Sequence, residues 1–345
     1  MTDKVRIGLI GAGGIARHHV KQLLQVPEAE IVAMTDPSQE MVNQMVAAHP
    51  HLATVPIYAD YREMLADANL DIVSVCTWPA LHGEMVVAAA EAGVKGVVCE
   101  KPFDLTLPAA DAAIAACRAS GTKLIVGHQR RFNWRYEQAK AALKEDAIGD
   151  LLTVTIQCRG DLFTDATHSL DMMRHMVDDC PAQWVLAQIA RYSPKHRFGH
   201  DVEDAALGHV QFANGVRGRI EVGDVPPNEA YQRVLLQGSD GYIEVGGDND
   251  GDWRLLRGSG GGWEHHPIEG EPRAHGFVRE IEELIRWFEG EVDDHLLKGE
   301  SGRATLEIIV AMFESSRRRA IVRLPLEGVD DNPLASMIAA GQLGG

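Results

Sequence analysis

Directly after the apolar run Val5–Ile10 stands Gly11-Ala12-Gly13-Gly14-Ile15-Ala16, a G-x-G-x-x-A pattern between a strand-like and a helix-like segment. In that context each small residue has a task. Gly11 lets the chain turn sharply, Gly13 removes a side chain so that backbone N–H groups reach a pyrophosphate, and Ala16 lets the helix lie close to the sheet. The positive end of that helix, at Gly14 and Ile15, then faces the anion. Asp36 follows at the end of a second apolar run. A carboxylate there accepts hydrogen bonds from ribose hydroxyls and repels a 2′-phosphate, so NAD is expected in preference to NADP. Asp36 also reads as a cap for the helix opening after Pro37, and the two roles are compatible.

Proton-transfer chemistry is offered at two places. Glu100-Lys101-Pro102 closes the run Gly96–Cys99, and ligands of open α/β sheets sit beyond the carboxyl ends of strands, so Lys101 is expected in the cofactor crevice. The proline holds it extended. A partly desolvated lysine there exchanges protons near neutral pH; the other reading is a surface lysine at a strand end. His168 falls in the first turn of a helix for which Thr164-Asp165 reads as the cap. The helix dipole disfavours an imidazolium there, so a neutral, proton-accepting ring is expected. His168, Asp171 and His175 share a helical face at metal-ligand spacing, but a packed ridge is the preferred reading and no metal is expected. Gln129, Arg130 and Arg131 follow the run Lys123–Val126 and are expected on the crevice side, bonded to substrate hydroxyls or a carboxylate, or in ion pairs joining domains. Arg159 has the same two readings. Trp134 is expected in a core, and the doublets His18-His19 and His265-His266 at surface or interface positions.

The elements that must position these groups follow from apolar periodicity. Val5–Ile10, Glu30–Met34, Asp71–Cys76, Gly96–Cys99 and Lys123–Val126 are short and rich in valine and isoleucine, as buried parallel strands are. Helix-like stretches Ile15–Gln25, Gln39–Ala48, Leu81–Ala92 and Leu107–Ala119 alternate with them, which predicts a doubly wound α/β sheet over residues 1–126. Beyond Gly127 the pattern becomes α+β with an open, largely antiparallel sheet. Tyr136–Lys144 is helix-like, Leu151–Arg159 a strand, and Ala166–Val177 a short helix. Asn214-Gly215 and Ser239-Asp240-Gly241 mark hairpins between Ala205–Phe212 and Val216–Val222, and between Arg233–Gln237 and Tyr242–Val245. The glycine-rich stretch Gly246–Gly262 reads as turns around a short strand. Helices His275–Glu289 and Arg303–Arg318 and a strand Ala320–Leu324 close the second domain, residues 127–327. Residues 328–345 are expected to be a weakly tied tail.

Composition narrows the partners. With 33 basic and 50 acidic residues among 345, the formal charge is −17, which disfavours nucleic acid and anionic membrane surfaces. No apolar run is long enough to span a bilayer, and no leader peptide is read at Met1 to Ile7. Five scattered cysteines without a C-x-x-C pair predict reduced thiols and a cytoplasmic location.

Taken in order, GLIGAGGIARHH, Cys76–Gly93, Cys99–Pro102, Val126–Asn133 and Thr167–Asp171, with the closing helix and strand, resemble the glucose–fructose oxidoreductase / inositol dehydrogenase / rhizopine-catabolism (Gfo/Idh/MocA) family over nearly the whole chain. The resemblance implies a Rossmann domain followed by an open-sheet domain for substrate and oligomer contacts, in a homodimer or homotetramer. It implies hydride transfer between NAD(P) and a secondary alcohol or ketone of a sugar, inositol or related polyol, with Lys101 as a catalytic group. Thr77 and His82 fall at the family's T-x-x-x-x-H positions near the nicotinamide. Trp78 stands where proline is common, with packing on protein preferred over packing on nicotinamide or sugar. Glu100, Lys101 and Gln129 complete the expected cofactor contacts. The family's histidine corresponds to His168 and acts with the lysine, commonly with an aspartate four residues earlier. Here that position is Thr164, and the aspartate is Asp165, three residues earlier, which either acts in the site or only caps the helix. Expected substrate contacts are Lys101, Arg130, Arg159, Thr164, Asp165 and His168. Relatives also suggest two other readings: a non-catalytic NAD-dependent sugar sensor, which can lack the lysine, and a glycosidase that oxidises its sugar transiently.

Overall fold

The computed structural model describes residues 4–223, 232–246, 252–258, 260–271 and 275–343. The chain divides into two compact units, the first comprising Met1–Asp104, Pro108–Gln129 and Ala274–Arg303, the second Leu105–Leu107, Arg130–Arg273 and Ala304–Gly345.

In the first unit, strands β1 (Val5–Ile10), β2 (Ala29–Thr35), β3 (Ile57–Tyr58), β4 (Ile72–Val75), β5 (Gly96–Cys99) and β6 (Lys123–Val126) form one sheet in the order β3-β2-β1-β4-β5-β6. Every neighbouring pair is parallel, so all six carboxyl ends lie along one edge. The order reverses between β1 and β4, where α/β sheets open their ligand crevice. β4 and β5 are buried at every residue, as the unbroken apolar runs require. Helices α1 (Gly14–Leu23), α2 (Gln39–Ala48), α3 (Tyr61–Asp67), α4 (His82–Glu91) and α5 (Leu107–Ser120) alternate with the strands. β3 and α3 have no counterpart in the sequence reading. Two residues of strand are too short to show a period, and α3 is set by a local cap in which Asp60 accepts from the Arg62 N–H at 2.8 Å.

In the second unit, α6 (Trp134–Lys144) and α7 (Thr167–Met176) accompany a sheet built from β7 (Leu151–Arg159), β8 (Ala182–Ala190), β11 (Ala205–Phe212), β12 (Arg217–Gly223), β13 (Gln232–Gly238), β14 (Gly241–Gly246), β15 (Trp253–Arg257), β16 (Glu264–His266) and β17 (Val322–Arg323). β9 (Lys195–Arg197) and β10 (His200–Val202) pair separately as a small hairpin. The large sheet runs β16-β15-β14-β13-β7-β12-β11-β8-β17, antiparallel throughout its described pairings except between β7 and β12. Both expected hairpins are present. β8 has no sequence signal because its outward face also carries apolar residues such as Leu186, which hides the alternation. α7 packs on β7 and β13. The short strand expected in Gly246–Gly262 is β15; residues 247–251 and 259 of that stretch lie outside the described residues.

The closing helices are α8 (His275–Phe288) and α9 (Gly299–Arg318). α8 buries Phe277, Ile281, Leu284 and Ile285 and packs on β5 and β6, which is why this late segment folds with the first unit. The tail is a correction. From Asn332, whose side chain caps α10 (Pro333–Ala339), the chain is helical and buries Pro333, Leu334 and Met337. Arg317 pairs with Asp331 at 2.8 Å just before it. No helix among the described residues is long and apolar enough to cross a membrane.

Candidate active site

Gly11 turns the chain out of β1 with φ +102°, and a methyl group there would run into the Cys76 carbonyl. Only glycine meets both demands. Gly13 is the residue before α1; no side chain caps that helix end, and a Cβ at Gly13 would enter open space. The cradle therefore presents uncapped N–H groups and a helix dipole toward a space that accepts an anion. Gly14 and Ile15 are exposed there. Gly11→Ala is expected to abolish the rise in melting temperature that NAD produces. The cost is at least about 1–2 kcal/mol of left-handed backbone strain, beyond the clash.

Asp36 follows β2 and is half-buried. Its Oδ2 accepts from the Ala12 N–H and its Oδ1 from the Ser38 N–H, both at 2.8 Å. Each oxygen keeps a lone pair for a ribose hydroxyl. The capping expectation is corrected, because Ser38 is the residue whose side chain caps α2. Gln129 follows β6 in the same unit; its Oε1 is buried without a hydrogen bond among the described residues, so an amide acceptor remains for a ligand. The glycine cradle, the Asp36 carboxylate and this amide together fit a dinucleotide.

Lys101 follows β5 and is half-buried, with a cis bond to Pro102. Its backbone N–H donates to Glu100 Oε2 at 3.0 Å, and Glu100 Oε1 meets His19 Nε2 at 2.7 Å. Both oxygens of Glu100, expected as a cofactor contact, are thus engaged by the protein. Burial alone raises a carboxyl, yet the His19 hydrogen bond and charge, with Lys101, hold Glu100 down at about 2. His82, also an expected cofactor contact, is buried with Nδ1 2.9 Å from the Pro102 carbonyl and Nε2 3.1 Å from that of Thr77. It ties the turn after β4 to the lysine segment. Thr77 is half-buried and donates to Met85 Sδ at 3.3 Å. Trp78 corrects the packing expectation: it is 59% exposed, because the turn carries it outward.

In the second unit a single π-helical turn, Leu162–Ala166, precedes α7. Asp161 caps it, accepting from the Thr164 N–H at 2.7 Å. The expected Thr164-Asp165 cap is therefore corrected. His168 lies one helical turn deeper than the dipole argument assumes. Asp165 instead pairs with Arg197 from β9, which also holds Asp161 at 2.7 Å. Thr164, Asp165 and His168 are all buried. Glu203 Oε1 accepts from the Leu162 N–H at 2.6 Å, and burial, then the Asp161 charge, pushes that carboxyl up to about 8. Arg159 ends β7 half-buried. Arg130 is half-buried, and burial lowers its pKa from the usual guanidinium value.

Arg131 corrects the crevice expectation. It is fully buried and grips Asp171 at 2.7 Å on two nitrogens and Asp179 at 2.6 and 2.9 Å, all within the second unit. Asp171 also accepts from Thr305 at 3.2 Å. Burial, then the nearby Arg131 and Lys140 charges, push the neighbouring His175 down to about 3, so its ring is neutral. Trp134 is half-buried, its N–H donating to Glu271 at 2.8 Å. His18 and His265 are exposed as expected, and half-buried His266 stacks on Trp253 at 4.0 Å. His19 is a correction: it is 1% exposed.

The oxidoreductase family with an NAD-binding Rossmann fold, Gfo/Idh/MocA, matches residues 5–128, and the family's C-terminal domain matches residues 159–244. The myo-inositol 2-dehydrogenase of Thermotoga maritima is 31% identical over 253 residues, 69% of this chain and 74% of the relative. The chain belongs to the Gfo/Idh/MocA family. An uncharacterized oxidoreductase of Bacillus subtilis, YrbE, is 29% identical over 72% of each chain. Among solved structures, the WlbA dehydrogenase from Bordetella pertussis, in complex with NADH and UDP-GlcNAcA, aligns with a TM-score of 0.78 over 94% of this chain and all of that one. At 24% identity this likeness establishes the shared fold.

This Gfo/Idh/MocA protein is an NAD-dependent oxidoreductase. Three of its site-building residues escaped the sequence reading. His19 had a signal, since Ala16, Val20 and Leu23 place it on the buried face of α1. Asp161 had one too, standing three residues before Thr164 at capping distance. Arg197 had none, because its partners are reached only through the β9–β10 hairpin.

Proposed function

We propose that the protein transfers hydride between NAD and a secondary alcohol or ketone carbon of a sugar, inositol or related polyol. One observation carries the reading: a lysine at the carboxyl end of β5, held by buried polar neighbours, in the same unit as an uncapped glycine cradle and a ribose-facing carboxylate. The names of relatives, inositol dehydrogenases among them, support the substrate class. NAD, when bound, supplies the hydride acceptor. The protein's own tasks are then to bind and to move a proton. The α1 N–H groups hold the pyrophosphate, Asp36 the ribose, and Gln129, Thr77, Trp78 and His82 surround the remainder of the dinucleotide site. Lys101 Nζ or His168 takes the hydroxyl proton, a contribution of about 10²–10⁴ in rate. Arg130, Arg159, Thr164 and Asp165 orient the substrate. The same reading includes a cytoplasmic protein with free thiols, and a homodimer or homotetramer that covers the outward face of β8, β11 and β12, where Leu186 and Leu207 are exposed.

The test mixes purified protein with NAD or NADP and a panel of inositols, aldoses and polyols, following nicotinamide absorbance. Reduction of NAD by at least one polyol is expected. Inertness in this panel, and with ketosugars plus NADH, would overturn the reading. Asp36→Asn is expected to lower the NAD/NADP ratio of kcat/KM by roughly tenfold or more. Hydrogen bonds to a charged group are worth about 1.5–3 kcal/mol, and the 2′-phosphate no longer meets a like charge.

A further inference from the structure

Beneath the lysine segment lies a buried polar chain the reaction does not itself require. His19, on α1, reaches Ser74 Oγ of β4 with Nδ1 at 2.8 Å and Glu100 Oε1 with Nε2 at 2.7 Å. Glu100 in turn holds the Lys101 N–H at 3.0 Å, while its own N–H donates to the Val75 carbonyl at 3.0 Å. Phe277 of α8 closes the far side, edge-on to the imidazole at 4.5 Å. The helix that begins at the phosphate cradle is thus joined through one hydrogen-bonded pair to the backbone of the lysine.

We propose that His19 and Glu100 are a positioning pair for Lys101, setting the lysine's place and its electrostatic surroundings relative to the nucleotide cradle. The proposal rests on the reading of Lys101 as the proton-transfer group. The geometry is more than packing requires. A buried ion pair between α1 and β5 is stabilising only when well bonded, and an apolar pair of similar volume is often as good or better for stability alone. Here the Glu100 carboxylate holds the backbone N–H of Lys101, the residue whose position matters most. The charged form of the pair is supported from several sides. Burial opposes an imidazolium at His19, yet Cys76 and Glu100 outweigh it and raise the ring well above its usual range. Glu280 of α8 is itself raised well above the usual carboxylate range, chiefly by burial. The remaining titratable groups around Glu100 are His18 on α1, Cys76 after β4, Cys99 on β5 and Lys101 itself.

Glu100→Gln keeps the shape and an acceptor for the Lys101 N–H but removes the charge. Its kcat is expected to fall roughly 10- to 100-fold, the range for a small misplacement of a reacting group, with NAD affinity and substrate KM within about threefold of wild type. The acid limb of its kcat–pH profile is expected to move to lower pH, because the carboxylate that favours a protonated amine is gone. Glu100→Asp keeps the charge at a changed distance, so kcat drops while the limb stays near its wild-type position. His19→Gln, which keeps a donor toward Glu100, is expected to fall between the two in kcat. If Glu100→Gln does not fold, the Asp and His19 variants carry the same comparison through kcat against KM. Lys101→Ala separates the two levels of the argument. Full activity in that variant would end the functional reading itself. An inactive Lys101→Ala beside Glu100 and His19 variants with wild-type kcat and pH profile would overturn the positioning pair alone.

Discussion

Lys101→Ala lowers kcat for polyol oxidation by about 10²–10⁴ while the NAD dissociation constant changes by no more than about twofold. The reason lies in which side of the reaction each group serves. In the function proposed above, the α1 N–H groups and Asp36 bind NAD, while Lys101 serves the reacting hydroxyl. The proton of the reacting hydroxyl must go to a group able to lose and regain one near neutral pH. Lys101→Arg is expected to be equally inactive, since a guanidinium keeps the charge and cannot give up its proton in this range. Steady-state turnover on whichever polyol proves active, with nucleotide affinity from fluorescence quenching, gives both numbers. Turnover in Lys101→Ala within about threefold of wild type would remove the lysine from the chemistry.

Arg131→Met destabilises the second unit by about 3–5 kcal/mol, the usual consequence of removing one partner from a buried ion pair. The guanidinium is fully buried and carries four short hydrogen bonds to Asp171 and Asp179, so its loss strips Asp171, 1% exposed, of a cation bonded to both of its oxygens. Urea unfolding followed by far-ultraviolet circular dichroism measures the change. The double variant Arg131→Met/Asp171→Leu is expected to recover part of the loss, because no buried charge is then stranded at position 171. A pH series adds the sign. Burial works to raise Asp179, but Arg131 outweighs it and holds the carboxyl below its usual 3.8. A depressed carboxylate contributes stability above its unfolded pKa and loses it as pH falls through the folded value. The wild type therefore loses this contribution below about pH 4, and in Arg131→Met that part of the acid dependence flattens. Equal stability of Arg131→Met and wild type at neutral pH would contradict the assignment of Arg131 to the core.

Local pattern made much of the first unit legible. Val5–Ile10, Gly96–Cys99 and Lys123–Val126 are strands at the expected residues, because a strand buried on both faces must be a short unbroken apolar run. The glycine pattern was legible for the same local reason: a turn at φ +102° against a neighbouring carbonyl accepts one residue type. β8 was hidden because both of its faces carry apolar side chains, and α10 because a seven-residue helix is held by one asparagine cap and three buried side chains rather than by a long period.

By itself, the sequence determined the order of the parallel strands' building blocks, the phosphate turn, the carboxylate after β2 and the lysine after β5. Each of these depends on neighbours a few residues away, and steric and periodic rules act at that range. Only the tertiary structure decided which charges meet. His19 and Glu100 lie 81 residues apart, Arg131 and Asp171 40 apart, and Asp165 finds Arg197 rather than a helix end. A buried charge must find an opposite charge somewhere, but any of many carboxylates or cations would satisfy that need. Which one does so is set by how sheets and helices pack, and that packing leaves no mark at the spacing of a motif.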